Sequence, residues 1–187
     1  MHVLVIGGTG MLKGIVEYYV KRGEKVTVVA RKESRLLQLK QEMKELKGDI
    51  HCIAVDYKDT EKLEQELTTA IEVFGAFSYS FNWIHSDATE TPYVLARLLN
   101  RISKECTYVR ILGSRAAHPE KGLDERELFN KLFPNIKYQE VVLGFMIEGD
   151  ESRWLTNNEI CQGIRKAVTR PQDRFIVGIV RPWSSRP

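Results

Sequence analysis

The sequence predicts an α/β fold: a doubly wound, seven-stranded, mostly parallel sheet with helices on both faces, formed by residues 1–187 as a single domain. Three observations point to it. Short apolar, β-branched runs recur along the chain, segments of helical periodicity separate them, and the first run ends in the small-residue corner Gly7-Gly8-Thr9-Gly10. A chain of 187 residues lies within reach of a single hydrophobic core.

The strands are expected at Val3–Ile6, Val26–Ala30, Ile50–Val55, Phe77–Ile84, Tyr108–Leu112, Tyr138–Met146 and Phe175–Val180. Most are apolar almost without a break, as strands covered on both faces are. Between the first two, Leu12, Ile15, Val16, Tyr19 and Val20 recur at helical spacing, and Leu36, Leu39, Met43 and Leu46 do so in the next gap. Leu63, Leu67, Ala70, Ile71 and Phe74 repeat the pattern before the fourth strand. Thr91 and Pro92 read as a cap and first helical residue ahead of Leu95, Leu98, Leu99 and Ile102. Thr156 and Glu159 have capping-box spacing before Ile160, Ile164, Ala167 and Val168. The weakest helix falls in the gap between Ser114 and Ile136, where only Leu128, Phe129 and Leu132 form a short pattern.

Composition excludes several classes. Apolar residues at 43% and charged residues at 28% suit a packed core and argue against disorder. The net charge of +3, with no run of five basic residues, argues against a nucleic-acid partner. The apolar stretch Val3–Ile6 is too short for a signal or membrane segment, so a cytoplasmic protein without a membrane partner is expected. Cys52, Cys106 and Cys161 lack metal-ligand spacing, so reduced thiols filling core space are expected, and no metal site.

Gly7, Gly8 and Gly10 stand where a strand ends and a helix begins. There the first helical N–H groups lack partners, the macrodipole is positive, and residues without side chains let an anion approach. Phosphate suits such a corner, although a tight strand-to-helix turn needs glycine too. About 20 residues on, an acidic residue marks ribose binding in dinucleotide folds and a basic one a 2′-phosphate. Here the second strand runs into "VVARKESR", with Arg31, Lys32 and Arg35 crowding a helix start that disfavours cations. An anionic ligand offsets that arrangement; a solvated basic turn partly neutralised by Glu33 is the alternative.

"VIGGTGML", "VVARK" and "AVDYKD" together resemble the short-chain dehydrogenase/reductase superfamily, particularly its atypical members, with the Rossmann fold. The resemblance spans nearly the whole chain as an order of elements, with its specific residues in the first 60 positions and around Ser114. It implies that Gly7, Gly8, Thr9, Gly10, Met11 and Leu12 wrap a pyrophosphate and that Arg31 and Lys32, beside Arg35, grip a 2′-phosphate. It also implies that Asp56 and Tyr57 border the adenine and that NADP(H) is the cofactor. For Asp56 the plain alternative is a strand-end residue capping its own turn. Lys13 stands where the atypical pattern has glycine, followed by Gly14, which leaves open a shifted helix packing or an added charge beside the phosphates.

Chemistry is expected beyond the carboxyl ends of the fourth, fifth and sixth strands, at "NWIHSD", "GSRAAH" and "GFMIEGD". Trp83 and Ile84 flank the cofactor ring or simply pack. His85 is a candidate proton donor or acceptor, with a structural histidine as the alternative. Ser114 holds the position of the family's catalytic serine, whose hydroxyl would hold a substrate carbonyl oxygen. The family's Tyr-x-x-x-Lys pair is missing, since no tyrosine has lysine four residues later. Glu127 and Lys131 have the spacing, but with a carboxylate in place of the phenol, and Tyr93 with Arg97, on the previous helix, matches it loosely. Gly144, Phe145 and Met146 resemble the segment beside the nicotinamide, without its proline, and the short remainder predicts a shallow or partner-completed substrate pocket. The resemblance thus implies an oxidoreductase transferring hydride to a small carbonyl, flavin-like or tetrapyrrole-like substrate without the usual pair. A non-catalytic NADP(H)-binding sensor or regulatory partner is the alternative, and assembly as a homodimer stays open.

Overall fold

The computed structural model describes residues 1–102, 105–118, 125–170 and 172–187. Six strands and their crossovers build the first part of the sheet: β1 (His2–Ile6), β2 (Lys25–Ala30), β3 (Asp49–Ala54), β4 (Tyr79–Trp83), β5 (Cys106–Gly113) and β6 (Ile136–Leu143). They alternate with α1 (Lys13–Lys21), α2 (Glu33–Glu42), α3 (Thr60–Phe74), α4 (Thr91–Ile102) and α5 (Glu125–Leu132). A hairpin, β7 (Phe145–Glu148) and β8 (Glu151–Trp154), then precedes α6 (Asn157–Thr169) and β9 (Arg174–Val177). The large sheet has seven strands in the order β3-β2-β1-β4-β5-β6-β9. Every pairing in it is parallel.

Side-chain alternation along β1 divides the core into two layers. Val3 and Val5 pack with α1, α2 and α6 through residues such as Val16, Leu36 and Ile164. Leu4 and Ile6 pack with α3, α4 and α5 through residues such as Leu67, Leu98 and Phe129. All four β1 residues have no exposed surface, as a strand covered on both faces requires.

The helix starts follow their caps. Asp59 accepts the Lys62 N–H at 3.1 Å ahead of α3. Thr156 and Glu159 form the capping box expected of them, with the Thr156 N–H donating to Glu159 Oε2 at 2.8 Å. Arg153, first, and Thr156 hold the Glu159 carboxyl down to about 2.

Two elements differ from the sequence expectation. The run Tyr138–Met146 is not one strand: it breaks at Gly144, where a Cβ would lie 2.0 Å from the Ile179 carbonyl oxygen, and only its first part joins the sheet. The rest pairs antiparallel with β8 across the two-residue turn Gly149-Asp150, with Gly149 at φ +63°. Between Ser114 and Ile136 the chain forms a short 3-10 turn, Ser114–Ala117, and then α5, while positions 119–124 lie outside the described residues. Cys106 and Cys161 are buried and Cys52 is half-buried, all three as free thiols. Among the described residues no helix is long and apolar enough to cross a membrane.

At the amino ends of β1, β2 and β3 a buried histidine chain ties the strands together. His2 Nδ1 lies 2.7 Å from the Gly75 carbonyl oxygen, its Nε2 lies 2.8 Å from Thr27 Oγ1, and that hydroxyl lies 3.3 Å from His51 Nδ1. Burial, the largest cause for each ring, lowers both histidine pKa values below the ordinary one. The folded state therefore binds fewer protons than the unfolded state as pH falls below about 6.5, and stability falls with it until the depressed values are passed. Thermal unfolding at neutral pH and at about pH 5, above the ordinary carboxylate range, is expected to show a drop in Tm. That drop shrinks in His51→Gln; an equal drop in both proteins removes the histidine explanation.

Candidate functional site

The crevice begins where β1 stops. Ile6 is the last strand residue, and Gly7 then takes φ +89°, a conformation L side chains rarely adopt. Its N–H donates to the Val29 carbonyl at 3.1 Å, and two successive turns, Gly10 N–H to Gly7 O at 3.3 Å and Lys13 N–H to Gly10 O at 3.0 Å, deliver the chain into α1. No side chain caps α1 and its first turn holds no acidic residue, so the positive end of the helix is left unneutralised.

The glycines of this corner do different work. A Cβ at Gly8 would lie 2.8 Å from Val16 Cγ2 and from Val28 Cγ1, so its bareness lets α1 pack against β1 and β2. A Cβ at Gly10 meets nothing within 4 Å, because that residue borders open space. A Cβ at Gly14 would lie 3.0 Å from Cys161 Sγ, so Gly14 provides the close approach of α1 to α6. Lys13 pairs with Glu42 at the end of α2.

Beyond β2, Lys32 is the N-cap of α2 and has extended backbone. Arg31, Lys32 and Arg35 line a cavity of about 230 Å³ together with Gly7, Thr9, Gly10, Met11 and Tyr57. Among the described residues no carboxylate pairs with these three cations; Glu33 opens the first turn of α2 without bridging to them.

Met11, Trp83 and His85 line this cavity and also a second, of about 730 Å³, so the two form one crevice. Trp83, the last residue of β4, lies across the join. Its Cβ and Cδ1 are 3.5 and 3.6 Å from where a Gly7 Cβ would stand, and its Cη2 is 4.0 Å from where a Gly113 Cβ would stand. The exposed His85 ring meets the Trp83 indole edge to face with 5.7 Å between centroids, and the His85 N–H donates to the Tyr57 hydroxyl at 3.4 Å.

Ser114 opens from the end of β5 into the larger cavity, and its buried Oγ accepts a hydrogen bond from Arg186 Nε at 2.8 Å. The Arg186 guanidinium carbon lies 5.0 Å from the Trp154 ring centre and 5.3 Å from that of Trp183. Arg110 reaches the same cavity but is spent: it donates to Glu125 Oε2 at 2.6 Å and to the Tyr138 hydroxyl at 3.4 Å. Burial, the largest cause, pushes the Tyr138 phenol up, so it stays protonated.

Of the residues singled out from the sequence, Gly7, Thr9, Gly10, Met11, Arg31, Lys32, Arg35, Tyr57, Trp83, Ile84, His85 and Ser114 line this crevice. Three do not. Gly8 packs behind it; Leu12 is fully buried in the core; and Asp56 accepts the Lys58 N–H at 3.0 Å, the turn-capping role that was the plain alternative. Tyr93 lines the larger cavity and packs against Phe129 with the rings tilted by 37° and 4.7 Å between centroids, while Arg97, Glu127 and Lys131 are exposed outside it. Gly144 lines it too. Trp154 and Leu155 from the hairpin end and Arg186 from the tail help wall the space. Sequence reasoning missed these three, although the turn residues Gly149-Asp150 between apolar runs were a hairpin signal.

Residues 1–82 match the family model for the short chain dehydrogenase. The folded chain superposes on the bulky-bulky ketone specific alcohol dehydrogenase of Comamonas testosteroni with a TM-score of 0.73, at 18% identity, covering 98% of this chain and 88% of that one. An alcohol dehydrogenase from the archaeon Thermococcus sibiricus, complexed with 5-hydroxy-NADP, gives 0.69 at 14% identity, covering 100% and 98%. A short-chain type dehydrogenase/reductase from Mycobacterium ulcerans gives 0.73 at 13%, covering 94% and 86%. No curated protein matches the chain in sequence. The chain thus has the Rossmann fold of the short-chain dehydrogenase/reductase superfamily, and its first 82 residues carry that family's sequence pattern.

The glycine geometry separates packing from access. Gly8→Ala is expected to destabilise the fold by about 1–3 kcal/mol, because the two valine methyls it meets are stiff. Gly10→Ala is expected to leave Tm unchanged and to weaken binding of a dinucleotide in the crevice. Melting curves and calorimetric titration with NADPH check both; a loss of Tm in Gly10→Ala would remove the distinction.

Proposed function

We propose that the chain is an NADP(H)-dependent oxidoreductase of the atypical short-chain kind, acting on a small carbonyl, flavin-like or tetrapyrrole-like substrate. One observation carries the reading: a single crevice offers a side-chain-free turn beside three cations without carboxylate partners among the described residues at one end, and a cavity holding Ser114 at the other. The residues present suit the dinucleotide. Gly7, Thr9, Gly10 and Met11 would hold the pyrophosphate, with Gly8 and Leu12 shaping the turn from behind. Arg31, Lys32 and Arg35 would hold the 2′-phosphate, and Tyr57 would border the adenine, with Asp56 fixing the turn that carries it. Trp83 and Ile84 would flank the nicotinamide. The Thermococcus sibiricus relative, complexed with an NADP derivative, supports this choice of cofactor.

When bound, the nicotinamide supplies or accepts the hydride. The chain's own part is to orient and polarise. Because Ser114 Oγ accepts from Arg186 Nε, its own proton is free to be donated to a carbonyl oxygen. His85, exposed at the join of the two cavities, can exchange a proton with water, so proton delivery does not require the missing phenol. That missing phenol also motivates the second reading, an NADP(H)-binding sensor that does no chemistry.

Replacing Arg31 and Lys32 together with alanine is expected to weaken NADPH at least thirtyfold, from roughly 2 kcal/mol of charge-assisted hydrogen bonding, while NADH affinity changes little. Calorimetry with both cofactors measures this, and equal losses defeat the assignment. NADPH consumption with flavins, quinones, dicarbonyls and biliverdin-like compounds then separates enzyme from sensor. Inertness toward all of them, with tight and conformation-changing NADPH binding, supports the sensor.

A further inference from the structure

The substrate end of the crevice is cationic, and its charge is distributed unevenly. Among the described residues three arginines line the larger cavity, Arg110, Arg115 and Arg186, against one acidic residue, Glu125. Glu125 is committed to Arg110 at 2.6 Å. Arg186 has no carboxylate partner among the described residues; it touches only neutral groups, the Ser114 hydroxyl and the Trp154 and Trp183 rings. Of the five N–H donors of its guanidinium, the Nε–H is used on Ser114, and the four on the terminal nitrogens have no acceptor there. The indoles and the serine fix the side chain in place, which lowers the ordering cost of a ligand that meets it.

The rest of the lining is largely apolar, with Ile84, Ala88, Pro92, Ile111, Leu143 and Leu155 among it. A fixed, half-buried guanidinium beside apolar walls suits a planar monoanion with a hydrocarbon body better than a neutral ketone, which would leave the charge unpaired.

We propose that the larger cavity takes a carbonyl compound bearing a carboxylate on an apolar body, and that Arg186 anchors that carboxylate while Ser114, hydrogen-bonded to it, faces the carbonyl. The proposal rests on the oxidoreductase reading above and names its substrate class. Arg186 is here a specificity-determining residue. A merely structural latch of the tail onto two indoles would hold the same contacts without discriminating between an acid and its amide.

The test is binding of matched probes at neutral pH, benzoate against benzamide and 4-phenylbutyrate against 4-phenylbutyramide. It is read by tryptophan fluorescence of the full chain, with and without saturating NADP. Each acid is expected to bind at least tenfold tighter than its amide, and Arg186→Met is expected to bring the two to within about twofold by weakening the acid alone. Equal affinities in the unaltered protein, no binding of either acid, or a preference that survives Arg186→Met each overturn the assignment. Calorimetry with NADPH on the same samples keeps the two readings apart. Failure of the unaltered protein to bind NADPH removes the oxidoreductase reading, while the acid-to-amide ratio still decides whether Arg186 is an anion anchor.

Discussion

The crevice exists because two neighbouring strands send their chains to opposite sides of the sheet. β1 and β4 are paired along their length, yet the helix that follows β1 packs into one core layer and the helix that follows β4 packs into the other. Neither helix can cover the gap between the strand ends. A parallel sheet wound this way leaves a space there whatever the loops contain, and the chain spends its least bulky residues on that space. Gly7 must take a left-handed φ to leave the strand, and Trp83 comes off the neighbouring strand directly opposite it.

Rigidity at this corner comes from the core behind it. Leu12 is fully buried in the last turn before α1, and side chains of this size contribute roughly 1.5–3 kcal/mol each on full burial. Gly8 and Gly14 bring α1 against the sheet and against α6, and Lys13 fastens it to α2. The backbone that faces the crevice is thus held from three directions, so little ordering is left for a ligand to bring about.

Much of this was legible in the sequence because it follows from local periodicity. The strand-helix alternation, the glycine corner, the cations after β2 and the capping box at Thr156 each depend on residues only a few positions apart. What was not legible depends on where distant segments fold. In the apolar run through Leu143 and Phe145 only Gly144 marks a break, and what it makes room for, the Ile179 carbonyl, lies 35 positions further on. Arg186 and Ser114 are 72 positions apart, and nothing in either neighbourhood's pattern predicts that they meet. For Asp56 the turn-capping use is local and is seen in its hydrogen bond from the Lys58 N–H.

The placement of charge shows the same division between fold and crevice. Where a charged group is deeply buried, the chain supplies its counterpart: Glu140, 2% exposed, is held by Arg174 at 2.6 Å, and the mostly buried Arg110 by Glu125. Burial without a partner costs several kcal/mol per ion, which accounts for these pairs with no appeal to function. Arg31, Lys32, Arg35 and Arg186 line the crevice and have no such counterpart among the described residues. Their exposure makes an unpaired charge tolerable, but it does not explain why these four and Arg115 collect along one groove in a chain whose net charge is only +3. On the proposed reading an anion at each end of the groove would account for it, one seated on the side-chain-free turn and the other on the guanidinium beside Ser114. Met11, Trp83 and His85, the residues common to both cavities, join the two groups of cations, so on the proposed reading the neutral and reactive part of a ligand would lie beside an indole and an imidazole.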